Sequence, residues 1–269
     1  MCRLRRLRAR LPAPDTSGMS RRPASQGETP IARLARRLAA HRRLFDPALE
    51  PRNRLPWLGP LQAWQARRLE RSFEAFLADP ERRPAARFFL TDVYGDHDFS
   101  QRDADIARVI PMMQRLLPAP LLDTIATGIE LGALTHAFDL RVAQALHALA
   151  PRRRALDAAL YAQAYRQAGH PRARAHQIEL IREVGEGLAA ALRMPGVGTL
   201  LKLSRLPARA AGLGELQSFL ERGFAAFADL GDARAFLVDI QRSEREVMQR
   251  LFAGDPDPFR WREQSKPHL

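Results

Sequence analysis

Residues 121–149 read LLDTIATGIELGALTHAFDLRVAQALHAL, with no proline and only four formally charged side chains, Asp123, Glu130, Asp139 and Arg141. Leu122, Ile125, Ile129, Leu140 and Ala143 recur at helical spacing on one stripe. Leu131, Leu134, Phe138, Val142 and Leu146 make a second. A helix apolar on more than one side has no solvent face to spare, so this segment is expected to run through the middle of an all-α core.

The segments on either side carry helix punctuation. Thr29-Pro30 supplies an N-cap and an N1 proline for a helix marked by Ile31, Leu34 and Leu38. Its arginine-laced outer face suits an anionic surface, but one apolar stripe packed on the core accounts for the pattern better. Pro47, Pro51, Pro56 and Pro60 predict an extended linker over 46–60. A helix over 61–77 buries Trp64, Leu69, Phe73 and Phe76 and stops at Asp79-Pro80.

Pro84 opens a short helix to Tyr94, with Gly95 just past its end. Ser100 caps another, which carries Ile106, Val109, Ile110, Met113 and Leu117. In the second half Gly169-His170-Pro171 and Pro195-Gly196 bracket helices over 152–168 and 172–193. Gly185, inside the latter, implies that another backbone approaches it closely. A short helix over 197–205 ends before Pro207. Two clear helices follow, one through Leu216, Phe219, Gly223 and Phe227, the other capped by Asp232 and ended by Gly254.

The expected architecture is all-α, a single antiparallel, bundle-like domain of about 8–10 helices over residues 29–253. Residues 254–269 form an irregular tail, and residues 1–28 a disordered basic arm. Met19 offers a second start, so residues 1–18 are either part of that arm or an untranslated extension.

The net charge of +13 is uneven: residues 1–54 hold 14 arginines against 4 acidic residues, which accounts for most of it. Only Lys202 and Lys266 are lysines, and abundant Arg, Ala, Leu and Pro together reflect compositional bias more than selection for a polyanion. Nucleic-acid binding is therefore disfavoured, with the arm its only basis. Cys2 is the single cysteine, so no internal disulfide forms and a reducing, cytoplasmic setting is expected. No apolar run is long enough for a transmembrane helix.

Residues 88–111, FFLTDVYGDHDFSQRDADIARVIP, are the most distinctive stretch. Together with 205–227, RLPARAAGLGELQSFLERGFAAF, they resemble an uncharacterised all-helical proteobacterial family with the pattern FFL-x-x-x-YG-x-x-DF-x-x-RD-x-D. The resemblance covers roughly residues 30–253. It implies an all-helical domain and no particular activity.

Two candidate sites emerge. Tyr94, Asp96, His97, Asp98, Arg102 and Asp103 crowd a loop between Asp92 and Asp105. Asp96-x-Asp98-x-Ser100 begins like a calcium loop, but Gln101 stands where glycine is needed and Ala107 where a bidentate glutamate is needed. A helix–turn–helix corner explains the same residues. The second is His136, on an apolar stripe with Asp139 three residues on and positioned to hold its ring. Such a pair serves as a base, as a haem or metal ligand, or as a satisfied structural hydrogen bond.

There is no G-x-S-x-G, P-loop or H-E-x-x-H motif, and no paired Glu-x-x-His for a di-iron bundle. No metal set is assigned, and no cofactor is identified. The expected function is binding or interaction through helical faces, with a protein, a small molecule or a second copy of the chain as partner. The alternative is a haem-, metal- or small-ligand-dependent sensor or enzyme using His136 with Asp139 or the Asp92–Asp105 loop.

Overall fold

The computed structural model describes residues 28–93, 119–153, 155–210, 214–228 and 230–260. Every regular element among them is helical. Helices α1 (Pro30–Phe45), α2 (Leu58–Ser72), α3 (Glu74–Ala78) and α4 (Arg83–Phe88) come first. Then come α5 (Ala119–Leu149), α6 (Ala158–Ala168), α7 (Pro171–Leu192), α8 (Val197–Ala210), α9 (Gly214–Ala228) and α10 (Ala233–Ala253).

Helix α5 is central, as its two stripes require. It contributes to three apolar clusters. One holds Leu134 and Phe138 with Phe73, Phe76, Phe88, Phe227 and Phe236. The next holds Leu140, Val142 and Leu146 with Trp57, Leu61, Tyr161 and Leu251. The third holds Leu122, Ala126 and Ile129 with Leu34 and Leu38 of α1. Thr29 caps α1 through a bond from the Ala32 amide, Asp157 caps α6 and Asp232 caps α10.

Helix α7 returns against α5 in the antiparallel sense, as Gln177 reaches Thr135 and Gly187 meets Thr124, and α10 returns against α7, as Glu179 meets Gln241 and Gly185 meets Leu237. Helix α1 departs from the antiparallel plan. Arg33 pairs with Asp123, Arg37 with Glu130, and Phe45 stacks on His136, so α1 runs parallel to α5.

Several boundaries differ from expectation. The 46–60 segment is compact, because Pro51–Arg54 form a 3-10 turn capped by Glu50 and α2 already begins at Leu58. The 61–77 helix divides at Phe73 into α2 and α3. Helix α6 starts at Ala158, where Asp157 offers a cap, and α8 continues through Pro207 to Ala210. Gly185 is pressed by the Leu237 side chain of α10, not by a backbone: a Cβ there would overlap Leu237 Cδ2. Beyond α10, Phe259 of the tail packs on Trp64 and Tyr161. No described helix is long and apolar enough to cross a membrane.

Candidate functional site

The two ionisable residues singled out on α5 turn to different neighbours. His136 is buried, and its Nε2 lies 2.7 Å from Asn53 Oδ1. The Asn53 amide donates to the Leu44 and Glu50 carbonyls, which fixes its oxygen toward the ring. His136 therefore donates from Nε2, and Nδ1 carries the lone pair. Phe45 stacks on the ring at 3.8 Å, and His41 stacks on the far side of Phe45 at 4.2 Å. Burial, then the nearby His41 and Arg52 against the opposing pull of Glu50, holds the His136 pKa down to about 4, so the ring is neutral near pH 7.

Asp139 does not hold that ring, although three residues separate the two. One helical step of three residues turns a side chain by about 60°, enough to face another helix. The Asp139 carboxylate turns to α2, where Gln65 and Gln62 donate to it. Its burial outweighs those bonds and the attraction of Arg174, pushing its pKa up to about 6.

Arg174 lies in the first turn of α7, is only 6% exposed, and is clamped between aromatic faces. Its guanidinium carbon is 3.9 Å from the Phe138 centroid and 4.4 Å from that of Tyr165. Its Nε and Nη2 are buried without a hydrogen-bond partner. Alongside, Arg68 of α2 makes a bidentate pair with Glu244 of α10, at 2.6 and 3.0 Å. Burial works against the Arg68 charge, but Glu244 more than offsets it and raises the pKa. These groups form a polar layer between the phenylalanine-rich cluster and the tyrosine- and tryptophan-bearing one.

At the α6–α7 corner Gly169 and His170 both have positive φ, 69° and 65°. Arg141 donates to His170 Nε2 at 2.9 Å. Burial, then Arg141 and Arg174, lowers the His170 pKa, consistent with a neutral ring accepting that bond.

Of the residues expected in a site, Tyr94, Asp96, His97, Asp98, Arg102 and Asp103 lie outside the described residues. Their neighbour Asp92 is described and pairs with Arg222 of α9 at 2.7 Å. Among the described residues no three His, Cys, Asp or Glu side chains converge to hold a metal ion. Asn53, Gln62, Gln65, Arg68, Arg174 and Glu244 did not emerge from the sequence. Arg174 left a trace: it sits four residues before Ile178, a cation on the otherwise apolar stripe of Ile178, Ile181 and Gly185.

A second feature is on the surface. Leu203 and Leu206 of α8 are 72% and 77% exposed, the most exposed large apolar side chains described. Helix α8 is held to α9 by polar contacts on its inner side. Gln217 donates to the Leu201 carbonyl at 2.7 Å, Ser204 reaches Gln217 at 3.2 Å, and Arg205 is bidentate with Glu221. The leucines consequently face away from the body.

The fold and this arrangement define an all-helical protein with a buried polar layer and, among the described residues, an outward apolar helix face. Residues 44–258 match the family model described as a domain of unknown function, DUF8198, and the chain belongs to that family. No curated protein and no solved structure matches it.

Proposed function

We propose that this is a binding and interaction protein, with α8 as the face that meets the partner. The observation carrying this is the outward pair Leu203 and Leu206, held away from the body by the Leu201–Gln217, Ser204–Gln217 and Arg205–Glu221 contacts between α8 and α9. Keeping two leucines in water is unfavourable by roughly 1.5–3 kcal/mol each relative to full burial. That term becomes available on docking. The bacterial origin and cytoplasmic setting read from the motif and the lone cysteine belong to the same proposal.

A photoreactive residue at position 206 of the full chain tests it. A discrete adduct formed in the producing cells, to a second copy, another protein or lipid, supports docking through α8. Recovery of the unmodified chain alone overturns it.

A second reading places a small ligand in the polar layer. The unpartnered Nε and Nη2 of Arg174 beside Asp139 favour it, because buried guanidinium donors are ordinarily satisfied. Haem or metal at His136 has less support, since Asn53 takes one ring nitrogen and Phe45 covers a ring face. A panel of small carboxylates and phosphates in thermal-shift measurements tests the polar layer: a ligand that stabilises the wild type and not Arg174→Met supports it.

A further inference from the structure

Exposed apolar side chains on a helix mean most when their charged neighbours share one sign. Between Glu186 and Glu215 the chain has no acidic residue and four cations, Arg193, Lys202, Arg205 and Arg209. On α8, Leu203, Leu206 and Ala210 follow one another at helical spacing after the polar Thr199, and all four are exposed. Lys202 and Arg209 flank this strip and are exposed as well. Arg205, on the same flank, is engaged by Glu221. The outer side of α8 thus pairs a narrow apolar ridge with a cationic border.

The position of α8 reinforces this. Arg33 of α1 pairs with Asp123 near the start of α5, and Gly187 of α7 abuts Thr124. The start of α1 and the α7–α8 corner therefore lie at the same end of the protein. Residues 1–27, with seven arginines and one acidic residue, join the body at that end.

We propose that α8 docks on an anionic lipid surface, with Leu203 and Leu206 entering the headgroup–acyl boundary and Lys202 and Arg209 at the phosphates. This rests on α8 being the interaction face and names its partner. A projecting ridge with cations on its flank suits a planar interface, and Lys and Arg stems reach headgroups from there. Two leucines bind only marginally by themselves, and the exposed cations beside them, Lys202 and Arg209, supply the second attraction that stable anchoring requires.

The test is co-sedimentation of the full chain with vesicles of phosphatidylcholine alone or mixed equally with phosphatidylglycerol. The wild type is expected to sediment with the mixed vesicles at low salt, much less at high salt, and not with phosphatidylcholine. Leu203→Ser/Leu206→Ser is expected to bind about a hundredfold more weakly, on the order of tenfold per leucine. Lys202→Glu/Arg209→Glu, changing exposed positions only, provides an independent second variant and is expected to lose binding too.

Failure of the wild type to sediment with mixed vesicles overturns the lipid assignment. Equal sedimentation of the leucine variant overturns it too, since the leucine ridge would then not be what enters the surface. Size-exclusion chromatography of the same proteins separates the two levels. If the leucine variant breaks an oligomer while no form binds vesicles, the lipid assignment falls and α8 remains an interaction face. If neither vesicle binding nor oligomeric state responds to it, the lipid assignment falls, and the adduct test at position 206 decides whether α8 is an interaction face.

Discussion

At the residue scale, His136 and Asp139 have opposite acid–base couplings. The His136 pKa, held to about 4 in the fold, lies below the ordinary value of 6.5. On acidification the unfolded chain takes its proton first, so this residue removes stability between about pH 6.5 and 4. The Asp139 pKa, about 6, lies above its ordinary 3.8. The folded chain protonates first, so this residue adds stability as pH falls from about 6 to 4. Each amounts to about 3 kcal/mol across its window, and the two largely cancel. Asp139→Asn, neutral at every pH, is expected to melt at or above wild type at pH 7.5. That advantage, about 3 kcal/mol at most, should shrink below pH 6 as the wild-type carboxyl protonates. Thermal denaturation across pH checks it, and a constant difference between the two proteins contradicts the assignment. His136→Leu leaves Asn53 Oδ1 without its donor and should cost about 1–3 kcal/mol at neutral pH, measured by urea unfolding.

At the element scale, two contacts set how helices meet. Arg68 and Glu244 join α2 to α10 with both side chains about 85% buried. Glu244→Gln strands the guanidinium, with an expected loss of about 3–5 kcal/mol in denaturant unfolding. Gly185 lets α7 approach Leu237 of α10. Alanine gains about 1 kcal/mol of helix propensity there, but overpacking costs about 1–3 kcal/mol, so Gly185→Ala should destabilise. Leu237→Ala should cost about 2–5 kcal/mol alone and less on the Gly185→Ala background, where the new methyl partly fills the space. An additive double-mutant cycle would contradict this packing. Position 185 is legible in the sequence as a site of close approach. The approaching group is not, because a glycine records missing room without recording what takes it.

At the scale of the whole molecule, the family match begins at residue 44, within α1, yet α1 seats Leu34 and Leu38 fully in the core against α5. Removing residues 1–27 should leave the melting temperature close to that of the full chain. Removing residues 1–45 should cost more than about 4 kcal/mol, because two buried leucines are lost and Leu122, Ala126 and Ile129 are bared. Calorimetry on the two truncations checks the contrast. Equal melting temperatures would mean that α1 adds nothing to the fold.

What the amino-acid order determined by itself was local and periodic. The two stripes of 121–149 required a central helix, because a segment apolar on several sides has nowhere to go but inside. Thr29 and Asp232 cap helices because their side chains accept from amides a few residues along, within the same stretch of chain. The polar layer depended on distant segments meeting. Asn53 reaches His136 across 83 residues and Arg68 reaches Glu244 across 176. At that separation neither residue type nor spacing reveals a partner, so Asp139 read as the companion of His136 when its helix directed it to Gln62 and Gln65. Tertiary structure alone decided that Leu203 and Leu206, ordinary core residues by composition, face outward, because the polar grip of α9 on the other side of α8 fixes which way that helix is turned.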